Sequence, residues 1–205
     1  KDIISLTDAY KSIFRTENLS ENLKNLKSDI IKSNLINSFF IEYAPFDFIC
    51  HVAGQVAMTN SIDNPRKDFE TNVLGTINVM ESLKKLKNKC TVVMITSDKC
   101  YENVEWIWGY KETDMLGGKD PYSGSKAAVE IAVNSWRSSF CGDLTHQTSL
   151  IRIASARAGN VIGGGYWSKD RLIPDCMKSW SKKKPAIIRN PHSTRPWQFV
   201  LEVLR

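Results

Sequence analysis

From Thr91 to Thr96 the chain reads Thr-Val-Val-Met-Ile-Thr, an uncharged and largely β-branched run without polar alternation. A strand with one wet face alternates apolar and polar residues, whereas a continuous apolar run suits a strand covered on both faces. Phe46 to Val52 and Thr148 to Ala154 read the same way. Helical periods separate these strands. Asp63, Asn64 and Pro65 open one helix, with proline suited to its first turn. Phe69, Val73, Ile77 and Met80 then form an apolar stripe at helical spacing. Pro121 to about Phe140 is a second long helix. Buried strands joined through helices pair in parallel, and right-handed crossovers wind them into a doubly wound, Rossmann-like α/β sheet.

Beyond Asn160 the texture changes. Val161 to Gly165 reads as a loop, Arg171 to Lys182 as a short amphipathic helix, and Ala186 to Arg189 as a strand. Residues 1–160 are therefore expected to form the sheet domain, and residues 161–205 part of a smaller region. Lys1 to Leu6 begins directly in a strand without an initiator Met, a hint of truncation, and Phe199 to Leu204 stops within an apolar element.

Apolar residues make up 42% of the chain and charged residues 24%, the balance of an ordinary globular domain. No apolar run reaches the roughly 18–20 residues of a membrane helix, so no membrane partner is expected. Five scattered cysteines without a Cys-x-x-Cys, and three distant histidines, suggest neither a disulfide framework nor a metal site, which fits the reducing cytoplasm. The net charge is +6, and basic runs occur at Lys84-Lys85-Leu86-Lys87 and Lys182-Lys183-Lys184. These fall near predicted helix ends, where the helix dipole favours cations. No nucleic-acid surface is expected from them.

The chemistry is concentrated in two places. In Tyr122-Ser123-Gly124-Ser125-Lys126, the phenol and the ammonium lie one helical turn apart on the same face. A fixed ammonium lowers a phenol's pKa and makes it a usable acid/base for a hydroxyl that loses hydride. Upstream, the strand at Thr91–Thr96 runs into Ser97-Asp98-Lys99. Open α/β sheets place their ligands at the C-terminal ends of strands, and a hydroxyl, a carboxyl and an amine gathered there are costly to bury idly.

These residues carry a resemblance. Ser97 with Tyr122-x-x-x-Lys126 matches the pattern of short-chain dehydrogenases. Four further stretches resemble the CDP-glucose 4,6-dehydratases, NAD-dependent enzymes of the extended short-chain type: Thr96 to Asn103 followed by Glu105 to Tyr110, Arg157 to Gly165, Asp170 to Asp175, and Arg189 to His192 followed by Arg195 to Gln198. The resemblance covers essentially the whole chain. It implies a lyase that converts CDP-glucose to CDP-4-keto-6-deoxyglucose with NAD as cofactor, and a homodimer. Residues 1–160 would hold the dinucleotide and residues 161–205 part of the substrate.

Residue by residue, the resemblance implies that Tyr122 takes the proton of the sugar 4-hydroxyl, Lys126 tunes Tyr122 and holds the nicotinamide ribose, and Ser97 hydrogen-bonds the 4-oxygen. Asp98 acts as general acid on the departing 6-hydroxyl. Lys99 stands where related dTDP-glucose enzymes carry a glutamate base; it is either the C5 base or an electrostatic stabiliser of the enolate. On the cofactor side the resemblance places Asp29, Ile30, Val52, Ala53, Gly54, Gln55, Thr71 and Val161. On the substrate side it places Asn160, Arg171 and Arg195, whose arginine forks suit a diphosphate.

The sequence departs from the pattern in three ways. No glycine-rich turn of the form G-x-x-G-x-x-G follows a first strand, so weak NAD binding and an exposed sheet edge are expected of these 205 residues alone, with an inactive fragment as the extreme case. Tyr166 stands where the family more often has an acid. Ala53 to Pro65 looks closer to the CDP-tyvelose (CDP-paratose) 2-epimerases, which makes a sugar-nucleotide epimerase the competing expectation. Asp98 discriminates between them, because an epimerase needs no acid for a leaving hydroxyl.

Overall fold

A computed structural model describes residues 3–5, 23–25, 28–142, 149–163, 167 and 170–205. Two short strands, β1 (Ile3–Ser5) and β2 (Leu23–Asn25), pair in parallel. There follow α1 (Ser33–Tyr43), β3 (Phe48–His51), α2 (Met58–Asp63) and α3 (Pro65–Phe69). A π-helical turn at Glu70–Leu74 leads into α4 (Gly75–Leu83). Then come β4 (Cys90–Ile95), a 3₁₀ turn at Asp98–Cys100, α5 (Pro121–Ser139) and β5 (Ile151–Ala156). The chain closes with β6 (Asn160–Ile162), α6 (Leu172–Ser181), β7 (Trp197–Phe199) and α7 (Val200–Leu204). It divides into two units, Leu26–Ala158 on one hand and Lys1–Asn25 with Gly159–Arg205 on the other.

In the Leu26–Ala158 unit, β3, β4 and β5 form a parallel sheet in that order. Helices supply every crossover, the Rossmann-like α/β arrangement expected. β3, however, expected to be covered on both faces, is not: among the described residues it pairs on one side only, and Phe48 is 56% exposed. On β4 the side chains of Cys90, Val92 and Met94 are fully covered, and Val93 and Ile95 on the opposite face are half-buried. Val79, Met80 and Leu83 of α4, Val129 and Val133 of α5, Ile36 of α1 and Ile153 of β5 are among the buried apolar side chains of this unit. The expected stripe from Phe69 to Met80 is not one regular helix, because the π-helical turn interrupts it and leaves Phe69 40% exposed.

Helix α5 has a sharply specified start. Asp120 caps it, accepting from Ser123 N at 3.0 Å and Ser123 Oγ at 2.6 Å, and Pro121 occupies the first turn. Gly118 lies flat against that turn: a Cβ there would sit 2.3 Å from Gly124 N, so only glycine lets the incoming loop pass.

In the other unit, β6 pairs in parallel with β7, Asn160 opposite Trp197 and Ile162 opposite Phe199. Helix α6 buries Pro174 and Cys176. Two expectations require correction here. Val161 and Ile162, read as the start of a loop, lie in β6, where they pair with β7. Ala186 to Arg189 is not a strand: it lies outside any ladder and Ile187 is 88% exposed. The strand lies instead at Trp197–Phe199, where β6 offers a partner. Thr148, Gly164, Gly165 and Tyr166 lie outside the described residues.

Candidate active site

The C-terminal ends of β3 and β4 and the first turns of α5 belong to one unit and hold most of the singled-out residues. β4 runs directly into Thr96 and Ser97, both buried. Ser97 caps the 3₁₀ turn, its Oγ accepting from Lys99 N at 3.2 Å and donating to Asp98 Oδ1 at 3.0 Å. Asp98 N donates to Ala158 O at 2.9 Å, which holds the turn to the end of β5. Asp98 and Lys99 are half-buried, and the turn packs against α5.

On α5, Tyr122 is half-buried in the first turn and Lys126 is 7% exposed one turn later. The Lys126 ammonium lies 5.8 Å from the centre of the Tyr122 ring, the juxtaposition that the spacing predicts. Burial pushes the Lys126 amine below its usual value, and the Asp68 carboxylate pulls it partly back. No carboxylate among the described residues comes within ion-pair distance of Lys126 Nζ. A Cβ on Gly54 would stand 3.3 Å from that nitrogen and 3.0 Å from Asn72 Oδ1, so this backbone approaches the ammonium closely.

Val52 to Gln55 follow β3; Val52 is exposed, and Ala53, Gly54 and Gln55 are half-buried. Gln55 N donates to Asn72 Oδ1 at 2.8 Å, and Gln55 Nε2 donates to Asp68 Oδ1 at 2.8 Å. Thr71 is half-buried in the π-helical turn. Asp29 is exposed and accepts from Ile31 N through Oδ1 at 3.1 Å, while Ile30 is buried and its carbonyl accepts from Asn78 Nδ2 at 2.9 Å. Asn160, Val161, Arg171 and Arg195 belong to the other unit. There Asn160 N donates to Pro196 O at 3.1 Å, Arg171 precedes α6, and Val161 and Arg195 are exposed.

Two residues escaped the sequence reading. Asn72, adjacent to the Thr71 that was singled out, is buried and donates to Ser125 Oγ at 2.9 Å. His51, at the end of β3, places Nε2 3.1 Å from Thr76 Oγ1, whose own proton goes to Asn72 O at 2.6 Å. The hydroxyl has one proton, so Nε2 is the donor in the first contact. Burial, with the Lys126 charge adding to it, lowers the His51 imidazole to about 4 and keeps it neutral. Among the described residues no helix is long and apolar enough to cross a membrane, and no cluster of side chains is fit to hold a metal ion.

The arrangement can move a proton at Tyr122, keep a buried ammonium beside it, and present a hydroxyl, a carboxyl and an amine from the neighbouring strand end. Comparison with known proteins points the same way. The family model described as GDP-mannose 4,6 dehydratase matches residues 5–205. The chain is 42% identical over 193 residues to the CDP-glucose 4,6-dehydratase of Salmonella typhimurium, covering 94% of this chain and 54% of that protein. Among solved structures it resembles an epimerase from Methanothermobacter thermautotrophicus, with a TM-score of 0.81, 25% identity, and 99% of this chain and 58% of that one covered. It also resembles a dTDP-glucose 4,6-dehydratase from Streptomyces venezuelae, solved with NAD bound, with a TM-score of 0.77, 21% identity, and 97% and 58% covered. This last likeness speaks for the fold alone. The chain spans about half the length of the curated relatives it matches.

Proposed function

Because this chain belongs to the GDP-mannose 4,6 dehydratase family, we propose that the protein containing it is an NAD-dependent sugar-nucleotide 4,6-dehydratase that converts CDP-glucose to CDP-4-keto-6-deoxyglucose and water. One observation carries the reading: the Ser97–Lys99 turn packs against the helix that brings Tyr122 and Lys126 together. The likeness to a CDP-glucose enzyme supports the choice of nucleotide.

The residues fit the nicotinamide-ribose half of NAD. Lys126 is a buried ammonium without an ion-pair partner among the described residues, beside a glycine ledge that a side chain would close. An ammonium so placed needs acceptors, and ribose hydroxyls supply them. Lys126 is assigned to the nicotinamide ribose, Asp29 and Ile30 to the adenine side, and Val52 to Gln55, Thr71, Tyr122 and Val161 to the dinucleotide as a whole. NAD supplies a hydride acceptor for C4 and a hydride donor for C6.

The remaining work falls to the side chains. Tyr122 accepts the proton of the 4-hydroxyl, with the Lys126 charge stabilising its phenolate form. Ser97 hydrogen-bonds the 4-oxygen and orients it. The 4-ketone acidifies the C5 proton, which Lys99 removes as a neutral amine or, as a cation, leaves to a water while its charge stabilises the enolate. Asp98 gives its proton to the 6-oxygen, which departs as water; hydride return to C6 is then matched by a proton delivered back to C5, and the proton taken from the 4-hydroxyl makes good the one that left with water. Asn160, Arg171 and Arg195 are assigned to the diphosphate region. Five free cysteines and a nucleotide-sugar substrate support a cytoplasmic enzyme, and a homodimer is part of the same reading.

A sugar-nucleotide epimerase is the second reading, favoured by the fold likeness to an epimerase. The test is to incubate the full-length protein with NAD and CDP-glucose and follow the alkaline absorbance of the 4-keto-6-deoxy product, with Asp98→Asn alongside. A signal that depends on Asp98 supports the dehydratase. Conversion to an epimer without that signal moves the assignment to the second reading.

A further inference from the structure

Two turns beyond Tyr122 on α5 lies Glu130, a carboxylate that is 4% exposed and that no step above uses. Thr96 Oγ1 donates to its Oε1. Ser155 Oγ and Arg157 NH2 donate to its Oε2, each at 2.9 Å. Burial pushes the carboxyl up, but the hydrogen bonds from Arg157, Thr96 and Ser155 outweigh it and hold it ionised below the usual carboxylate value. One side chain on α5 thus binds the end of β4, the end of β5, and the residue that comes after β5.

Arg157 continues the connection outward. Its NH1 donates to Glu112 O at 3.1 Å, and its guanidinium lies 4.8 Å from the centre of the Tyr101 ring. Tyr101 stacks on Tyr110 at 5.1 Å, and Tyr110 meets Trp106 at 5.3 Å. The stretch from Tyr101 to Leu116 is closed at its base by an antiparallel bridge between those two residues. Glu102 N donates to Met115 O and Gly117 N to Cys100 O, both at 2.9 Å. The loop therefore springs from the residue after the 3₁₀ turn and is held from within by Arg157.

We propose that the Glu130–Arg157 ion pair is a positioning device for the reaction: it fixes the Ser97–Lys99 turn and the Tyr101–Leu116 loop to the helix that carries Tyr122 and Lys126. A buried ion pair is a poor source of stability compared with apolar packing, but it specifies geometry through hydrogen bonds that apolar groups lack. Beyond each other, the pair's hydrogen bonds go to Thr96, Ser155 and Glu112, on the strand ends and the loop beside the two reactive groups. The inference rests on the dehydratase reading for its consequence in turnover, and on the geometry alone for its consequence in local order.

The test uses the full-length protein as wild type, Glu130→Gln and Arg157→Lys, with NAD and CDP-glucose. Glu130→Gln keeps the shape and removes the charge; it is expected to lower kcat about tenfold to a hundredfold while KM for the nucleotide sugar moves less than about threefold, the pattern of lost orientation. Arg157→Lys keeps the charge and loses the fork, and its kcat is expected to fall between wild type and Glu130→Gln. Hydrogen exchange supplies a readout independent of turnover. In Glu130→Gln the amides of Asp98, Cys100, Glu102 and Gly117 are expected to exchange at least about tenfold faster, with Cys90 and Ile153 in the sheet little changed. If Glu130→Gln does not fold, the double variant Glu130→Gln/Arg157→Met removes the unpaired charge and takes its place. Wild-type kcat in a folded charge-loss variant overturns the proposal, as does a loss confined to KM or unchanged exchange at the four amides. An inactive wild type defeats the dehydratase reading, and the exchange measurement still decides the positioning role.

Discussion

Asn72 donates through Nδ2 to the hydroxyl of Ser125 at 2.9 Å, and this bond ties the π-helical turn to the helix that carries Tyr122 and Lys126. The same amide accepts from Gln55 N through Oδ1 at 2.8 Å, so one buried side chain joins three segments around the candidate site. The π-helical turn has a local consequence. An extra residue in the turn rotates the later residues of the helix relative to the earlier ones, and such bulges recur at functional sites.

Asn72→Ala leaves the Gln55 amide and the Ser125 hydroxyl without this partner. A buried group that loses its partner costs about 1–3 kcal/mol, so the urea midpoint of the full-length protein is expected to fall accordingly at an unchanged m-value. Asn72→Asp keeps the acceptor for Gln55 N and loses the donor to Ser125, and it adds a carboxylate close to Asp68. It is expected to be at least as damaging as alanine. A midpoint that stays at the wild-type value in both variants would contradict the structural role.

Much of this was legible from local chemistry. β4 announced itself through its β-branched run, and α5 through Pro121 and its apolar period; both lie where expected to within a residue or two. Tyr122 and Lys126 were legible because their relationship is one helical turn, which spacing alone encodes. Asn72 was not, because its partner Ser125 is 53 positions away and the π-helical turn is a choice of backbone hydrogen bonds without a side-chain signature. The misplaced strand has the same cause. Ile187 and Ile188 have the β-branched character of a strand, yet a strand exists only against a partner, and β6 pairs with Trp197–Phe199 instead.

Removing the phenol should separate chemistry from binding. Tyr122→Phe is expected to lower turnover about 100- to 10,000-fold, the range for loss of a general acid/base, while nucleotide-sugar binding measured by calorimetry persists. Lys126→Met should act through the phenol as well. Without the ammonium, the Tyr122 proton is held more tightly, so the acid limb of the pH–kcat profile is expected to move to higher pH. An acid limb that stays in place would show that Lys126 does not tune Tyr122.

The start of α5 offers a graded test of how firmly the helix is set. Asp120→Ala removes a cap that accepts from both the amide and the hydroxyl of Ser123, at an expected cost of about 1 kcal/mol. Gly118→Ala asks for more. Its Cβ would lie 2.3 Å from Gly124 N and 2.5 Å from Ser123 C, both backbone atoms that cannot swing aside. Overpacking of this kind costs about 1–3 kcal/mol, and denaturant titration should rank Gly118→Ala at or beyond Asp120→Ala. The opposite ranking would mean that the loop at Gly118 retreats without cost.

His51 predicts how stability changes in acid. Its imidazole falls from the ordinary value of 6.5 to about 4 in the folded protein, chiefly through burial and secondarily through Lys126. A depressed imidazole pKa means that the unfolded chain binds the proton more readily than the folded one. Between those two values the unfolded state carries more protons, so stability rises with pH across that window and is lost as pH falls through it. If the whole shift is expressed, the loss by about pH 4 is on the order of 3 kcal/mol, since each unit is worth about 1.4 kcal/mol. Thr76 already gives its proton to Asn72 O, so it accepts from Nε2 and offers nothing that would accommodate a second proton on the ring. Urea titrations of wild type and His51→Asn at pH 7, 5.5 and 4.5 measure the effect. The variant is expected to be weaker at neutral pH and to show the shallower decline, with the two curves converging toward acid. Parallel curves would mean that His51 takes up its proton in the folded protein as easily as in the unfolded chain.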